Sequence, residues 1–247
     1  AYNEEEAIGP LLDEIQTNMQ ENRCEFSTVV VDDGSVDRTA DAVRERVGEM
    51  PVRLVQHDGN KGLAAAIRTG LLAALEQGAD RDIIVTMDGD NTHAPGLILR
   101  MVRSIREGCD VVIASRYQPG SRVIGVPGHR RLLSSGASLL FRLALPIPGV
   151  KDYTCGYRAY RIEVLRQAVE ELGDRIITEH GFACMVELLL RMRRIGAVMA
   201  EVPMILRYDR KPGKSKMDVR RTVLETLKLL ARERFGAKWR RSGGIGA

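Results

Sequence analysis

Up to residue 115, short apolar runs alternate with longer stretches whose apolar positions recur at helical spacing. β-Branched runs at 28–31, 52–55, 83–86 and 111–114 predict strands, and 4–19, 37–47, 62–76 and 95–106 predict the helices between them. Strands alternating with helices of this length build βαβ units. The pattern therefore predicts an α/β domain, with a mainly parallel sheet covered by helices on both faces. Each apolar run ends in polar residues: Asp32-Asp33-Gly34-Ser35, Asp88-Gly89-Asp90 and Ser115-Arg116. Open α/β sheets bind ligands outside the carboxyl ends of their strands, so these three clusters are expected to line one crevice.

Beyond residue 115 the pattern is less regular. Residues 117–129 are rich in Gly and Pro and read as a loop, followed by a helix over 130–143. Pro146, Pro148 and Gly149 break the chain ahead of the polar-aromatic run Asp152-Tyr153-Thr154-Cys155-Gly156-Tyr157-Arg158. A helix over 181–194 and a strand over 198–206 come next, and then the basic loop Lys211-Pro212-Gly213-Lys214-Ser215-Lys216. The stretch 218–235 is amphipathic: Val219, Val223, Leu227 and Leu230 form a stripe opposite Arg221, Lys228 and Arg232. Such a helix docks on its own domain or lies on an anionic membrane surface, and periodicity leaves both open. The chain thus divides into a main domain over 1–207 and a basic loop with a C-terminal helix over 208–247.

Composition narrows the classes. With 44% apolar and 28% charged residues, the 247-residue chain has the makings of a packed core. No apolar run approaches the ~20 residues of a membrane span, and the acidic opening Glu4-Glu5-Glu6 is unlike a secretory leader. The cysteines Cys24, Cys109, Cys155 and Cys184 lack metal-ligand spacing and read as small core residues in a reducing compartment. Net charge is +4, yet residues 207–241 carry 13 Lys/Arg against 4 acids, so the remainder is net −5. A basic tail on an acidic globule predicts an anionic partner: phosphate, lipid headgroup or nucleic acid. Nucleic acid is the poorest fit, because 4% aromatic content offers few stacking platforms and the strand ends are acidic.

The acids carry the candidate chemistry. Asp88 and Asp90, one residue apart at a strand end, can both face a hard cation such as Mg2+ or Mn2+, although Asp-Gly is also an ordinary turn. An EF-hand is a poor fit, since His93 and Leu99 stand where Gly and Glu are needed. His93 itself reads as a neighbour of the acids or a plain loop residue before it reads as a further metal ligand. Asp32 and Asp33 would repel phosphate but can accept hydrogen bonds from ribose or base, while Ser35 or Asp37 suits a helix cap. Asn60-Lys61-Gly62 opens a helix and offers a cation and backbone N–H groups to an anion.

Ala1-Tyr2-Asn3-Glu4-Glu5, Val30-Val31-Asp32-Asp33-Gly34-Ser35 with Asp37 and Thr39, Asn60-x-Gly62 and Asp88-x-Asp90 follow one another at spacings that resemble a family-2 glycosyltransferase of the GT-A (Rossmann-like) fold. Ala114-Ser115-Arg116-Tyr117, Arg130-Arg131-Leu132-Leu133-Ser134, Cys155-Gly156-Tyr157 and Glu201-Val202-Pro203 are similar to polyprenyl (dolichyl) phosphate mannose synthases. The resemblance implies a sugar-nucleotide donor, GDP-mannose in the first instance, and a polyprenyl monophosphate acceptor. Ala1, Tyr2, Glu4, Asp32 and Asp33 would hold the nucleoside with Lys61, and Asp88 and Asp90 the metal. Arg116, Arg130 and Ser134 would receive the acceptor phosphate, and Arg210 and Lys216 would close over the donor diphosphate. Because the acceptor is a membrane lipid, the resemblance also implies a peripheral protein at the cytoplasmic membrane face.

Two departures stand out. Thr92 occupies the place of a family Gln two residues past the second acid, a shorter ligand that leaves room for UDP-glucose or another donor. A saccharide acceptor would need a general base, for which Asp152 and Glu179 are candidates. The chain also opens at Ala1 where relatives have an apolar strand and a Pro, so the fold is expected to lack its first strand. Some relatives carry C-terminal membrane helices, a pattern not seen in this sequence.

Overall fold

The computed structural model describes residues 1–211 together with Lys228 and Leu229. The four apolar runs form β1 (Thr28–Asp32), β2 (Val52–Gln56), β3 (Ile83–Thr86) and β4 (Val111–Ser115), each within a residue of its expected bounds. Between and before them lie α1 (Ile8–Glu21), α2 (Thr39–Arg44), α3 (Leu63–Gln77) and α4 (Ile98–Arg106). α1 starts later than its periodicity suggests because the preceding residues are tied to another loop. The Glu4 amide donates to Thr39 Oγ1 at 2.7 Å and the Glu5 amide to Asp37 Oδ2 at 3.3 Å.

The later half is built from β5 (Arg122–Ile124), α5 (Gly128–Ala144), β6 (Arg158–Arg161), α6 (Ile162–Leu172), α7 (Ala183–Arg194), β7 (Met199–Pro203) and β8 (Ile205–Arg207). β5 arises inside the stretch expected to be loop, and the single strand expected over 198–206 is broken at Met204. Its amide donates back to Ser115 at 3.1 Å, which lets β8 leave the main sheet and pair in parallel with β5.

The sheet is less uniformly parallel than the pattern predicts. β1 and β2 pair in parallel, as do β4 and β7, but β6 runs antiparallel between β3 and β4, giving the order β3-β6-β4-β7. Sequence pattern missed β6 because it begins and ends with arginine. Arg158 is 0% exposed, its two terminal nitrogens donating to the carbonyls of Met185 and Tyr153 at 2.8 Å each. Arg161 reaches Asp110 at 3.0 Å and the carbonyls of Ile105 and Cys109. Bonded in this way, charged ends are compatible with an interior strand.

β1 and β3 are not hydrogen-bonded to each other. Ala1 lies between their tips: its amino group donates to the Val31 carbonyl at 2.7 Å, its carbonyl accepts from the Asp33 amide at 2.8 Å, and a Cβ on Gly89 would stand 3.1 Å from its own Cβ. Ala1 therefore bonds to the open edge of β1, at the sheet end where the acids gather.

One core surrounds β4, β6 and α7, and a smaller one packs Ile8, Leu11, Leu12, Ile15 and Met19 of α1 against Val30, Val43 and Met50. β4 is buried along its whole length, as expected of a strand covered on both faces. All four cysteines are free; Cys155 and Cys184 are buried and Cys24 and Cys109 partly so. Burial pushes the Cys155 and Cys184 thiols up to about 12. Of the helix expected over 218–235, Lys228 and Leu229 are helical, Leu229 being buried in the main core, and the rest lies outside the described residues. Among the described residues no helix is long and apolar enough to cross a membrane.

Candidate active site

The tight turn after β3 presents Asp88 and Asp90. Asn91 takes a left-handed conformation (φ 58°) that an Asx side chain tolerates, and the turn folds back so that the Asp88 amide donates to His93 Nδ1 at 3.3 Å. His93 is buried and stacked on Tyr157, ring centroids 4.9 Å apart, so it props the turn from beneath as the sequence suggested. Asp88 is half-buried, and its Oδ1 lies over Gly156, where a Cβ would come within 3.1 Å. Asp90 is buried. Its Oδ1 accepts the Thr92 amide at 3.1 Å and the Thr92 hydroxyl at 2.7 Å, and its Oδ2 accepts Lys211 Nζ at 2.5 Å. Burial alone would raise this carboxyl, but the charge and hydrogen bond of Lys211, with help from Thr92, hold it below the usual carboxylate range. Thr92, expected as a shorter ligand, is buried beside Asp90 and donates its hydroxyl hydrogen to that carboxylate. Among the described residues, no group of three or more His, Cys, Asp or Glu side chains could cage a metal by itself.

At the end of β1, Asp32 and Asp33 both turn inward. Asp32 accepts the Ser35 amide and Gln56 Nε2, each at 3.1 Å. Asp33 receives His57 Nδ1 at 2.7 Å and the amides of Lys61 and Gly62 at 2.9 and 2.8 Å. The backbone N–H groups ahead of α3, expected to face an incoming anion, are therefore filled by Asp33; a buried carboxylate beside a helix start takes those donors first. Lys61 Nζ lies 2.8 Å from Asp58, on the surface. His57 was not singled out by sequence, since its partners Asp33 and Thr69 lie 24 and 12 residues away. Gly34 (φ +71°) lets this loop touch the next one, its missing Cβ lying 2.3 Å from the Gly59 carbonyl carbon. Ala1, Tyr2 and Glu4 lie half-buried along the same wall, stitched to it where the Asn3 amide donates to Ser35 Oγ at 2.8 Å.

At the end of β4, Arg116 and Ser134 come together through Tyr117. The Tyr117 hydroxyl lies 2.7 Å from Ser134 Oγ, and the Arg116 guanidinium sits 5.6 Å from the Tyr117 ring centre. Arg130 lies four residues before Ser134, one turn earlier on α5. Arg116 is already engaged: its Nε and amide donate to Asp152 Oδ2, and one terminal nitrogen donates to both Asp152 Oδ1 and Thr154 Oγ1. Asp152 is 0% exposed. Burial opposes both charges, but the pair outweighs it, raising the guanidinium and lowering the carboxyl. Asp152 therefore cannot serve as the general base proposed for a saccharide acceptor. Glu201 supports the assembly, with Oε1 accepting the Lys151 and Asp152 amides at 2.6 Å each and Oε2 taking Gln118 at 3.1 Å. Glu179, the other base candidate, is half-buried in a loop held by Glu187, which accepts the Thr178 and Glu179 amides at 2.8 Å.

The first residues of the basic segment are tied to acids of the main domain. Arg210 pairs with Glu14 of α1 at 3.1 Å and Lys211 with Asp90; Lys216 lies outside the described residues. Lys211, read from sequence only as the start of a basic loop, is brought into the acidic site by β8.

The glycosyl transferase family 2 model matches residues 1–168. The chain is 34% identical over 232 residues to a dolichol-phosphate mannosyltransferase of Pyrococcus furiosus, covering 94% of this chain and 61% of that protein. It is 37% identical over 191 residues to a polyprenol monophosphomannose synthase of Mycolicibacterium smegmatis, covering 76% and 69%. In fold it is similar to glucosyl-3-phosphoglycerate synthase from Mycobacterium tuberculosis, solved with Mn2+ and UDP-glucose, at a TM-score of 0.65 and 20% identity, covering 96% of this chain and 77% of that one.

Proposed function

The chain belongs to glycosyl transferase family 2, and on that premise we propose that it transfers mannose from GDP-mannose to a polyprenyl monophosphate with inversion at the anomeric carbon, using Mg2+ or Mn2+. The observation that carries this reading is a pair of opposed charges at the tips of two strands of one sheet. Asp88 and Asp90 follow β3 and Arg116 follows β4, two strand spacings or about 10 Å away across β6. The names of the Pyrococcus and Mycolicibacterium relatives support the acceptor class. The chain spans 61% of the Pyrococcus protein, so the activity is proposed for it rather than carried over whole.

Two carboxylates suit a hard divalent ion that takes its other ligands from phosphate and water, and Asp90 Oδ2 already draws a cation, Lys211. Such an ion, held by Asp88 and Asp90, would neutralise the departing diphosphate. The acceptor phosphate is anionic near neutral pH and attacks the anomeric carbon without a strong base, while the bond to the nucleoside diphosphate breaks. The sealing of Asp152 under Arg116 favours this acceptor over a saccharide hydroxyl. Arg116, Arg130 and Ser134 would orient the phosphate and offset its charge, the planar guanidinium suiting two phosphate oxygens. Ala1, Tyr2 and Glu4 would line the nucleoside pocket with Lys61, while Asp32 and Asp33 shape its wall. Arg210 and Lys216 would cover the diphosphate. The basic 207–241 stretch would hold the protein at the anionic cytoplasmic membrane face.

Calorimetry with GDP, GDP-mannose and UDP-glucose, each with and without Mn2+, tests the reading. The guanosine ligands should bind with Mn2+ and lose most of their affinity without it. Tighter binding of UDP-glucose would transfer the proposal to a uridine donor, and indifference to every nucleotide would end it.

A further inference from the structure

Asp90 and Lys211 form an ion pair unlike the surface pairs of this protein. Their side chains are 12% and 13% exposed, and Nζ lies 2.5 Å from Oδ2, the oxygen that Thr92 leaves open. Water does little to screen such a contact. The pair joins the second acid of the Asp-x-Asp turn to a residue 121 positions later in the chain.

The backbone around Lys211 is held independently of that contact. The Arg207 amide donates to the Thr92 carbonyl at 2.9 Å, Leu206 bridges His93, and Gly125 (φ +81°) closes onto the Asp209 amide, 2.7 Å from where a Cβ would stand. Arg210 adds an ion pair to Glu14. Lys211 is therefore tethered beside the acidic turn whichever way its side chain points, and only the flexible four-carbon stem need move. A divalent ion about 2.1 Å from Asp90 Oδ2 would crowd an ammonium on the same oxygen, and in buried surroundings like charges so close exclude each other.

We infer that Lys211 is a built-in stand-in for the divalent cation, occupying the Asp90 half of the metal site until the ion displaces it and leaves the ammonium free to meet the donor's phosphates. This rests on the metal reading above. The tethered ammonium competes with the ion, so the affinity measured for Mn2+ is lowered by the fraction of molecules in which Asp90 is open; a latch closed nine times in ten lowers it about tenfold.

Mn2+ binding to the full chain, followed by electron paramagnetic resonance, tests this with wild type, Lys211→Met, Lys211→Arg and Asp90→Asn. Lys211→Met should bind Mn2+ about tenfold more tightly, with Lys211→Arg near wild type and Asp90→Asn losing the site. If Lys211→Met binds no more tightly while Asp90→Asn still loses the ion, Lys211 is not a competitor and the inference falls with the metal reading intact. If Asp90→Asn binds like wild type, both fall. A second readout needs no variant: Mg2+ should speed acetylation of Lys211 in wild type, scored by peptide mass spectrometry. Unchanged reactivity at saturating Mg2+ overturns the inference.

Discussion

Arg116 and Asp152 are joined by three hydrogen bonds to one fully buried carboxylate, at 2.7, 2.8 and 3.0 Å, across 36 residues of chain. Removing one partner of a buried pair strands the other, which typically costs about 3–5 kcal/mol. Asp152→Ala should destabilise the fold by roughly that amount in urea melts. Asp152→Asn, which keeps one acceptor, should cost less and raise KM for the polyprenyl phosphate while leaving GDP affinity near wild type.

The same carboxylate sets an acid limit. Asp152, Glu187 and Asp90 are all held below the ordinary carboxylate range in the folded protein; burial opposes this in each case, but Arg116, Thr178 with Arg191, and Lys211 respectively outweigh it. Folded-state pKa values lower than unfolded ones mean that the unfolded chain binds more protons on acidification. This stability is complete above about pH 5 and is lost as pH falls through the folded values. Melting temperature should therefore drop steeply below about pH 4, and Asp152→Asn should flatten that drop.

Gly34 permits the touching of two loops that would form the proposed nucleoside wall. Gly34→Ala adds a Cβ that would collide with Gly59 backbone at a left-handed position, so the loops must part. GDP affinity should fall by about tenfold or more, with a destabilisation of about 1–3 kcal/mol in the same urea melts.

Asp88→Ala and Asp90→Ala should each abolish Mn2+-dependent GDP binding while the far-ultraviolet circular dichroism stays native. Gly156→Ala presses on Asp88 Oδ1 from 3.1 Å and should weaken Mn2+ binding less severely than loss of the carboxylate. Full retention of metal binding in both alanine variants would remove these acids from the site.

Much of this framework was legible beforehand. The strands β1 to β4 follow from local β-branched runs, and their acidic or basic tips from the residues that end each run. What stayed hidden depends on partners far apart in sequence. β6 looked polar because Arg158 finds its acceptors at Tyr153 and Met185 only after folding. Asp33 accepts the amides of Lys61 and Gly62, 28 and 29 residues on, which spacing does not foretell. Thr92 and Lys211, the latter at the start of the basic loop, both bond Asp90, a meeting that spacing alone does not reveal. Spacing reveals which residues share an element, whereas the direction a carboxylate turns is decided by which donors the fold delivers to it.

Incubation with radiolabelled GDP-mannose, a short-chain polyprenyl phosphate and Mn2+ addresses the central claim most directly. The account predicts mannosyl phospholipid formed with inverted configuration, abolished by chelation and by Asp90→Ala. Transfer that proceeds undiminished in the presence of chelator and in Asp90→Ala, or the absence of any labelled polyprenyl product, would contradict it.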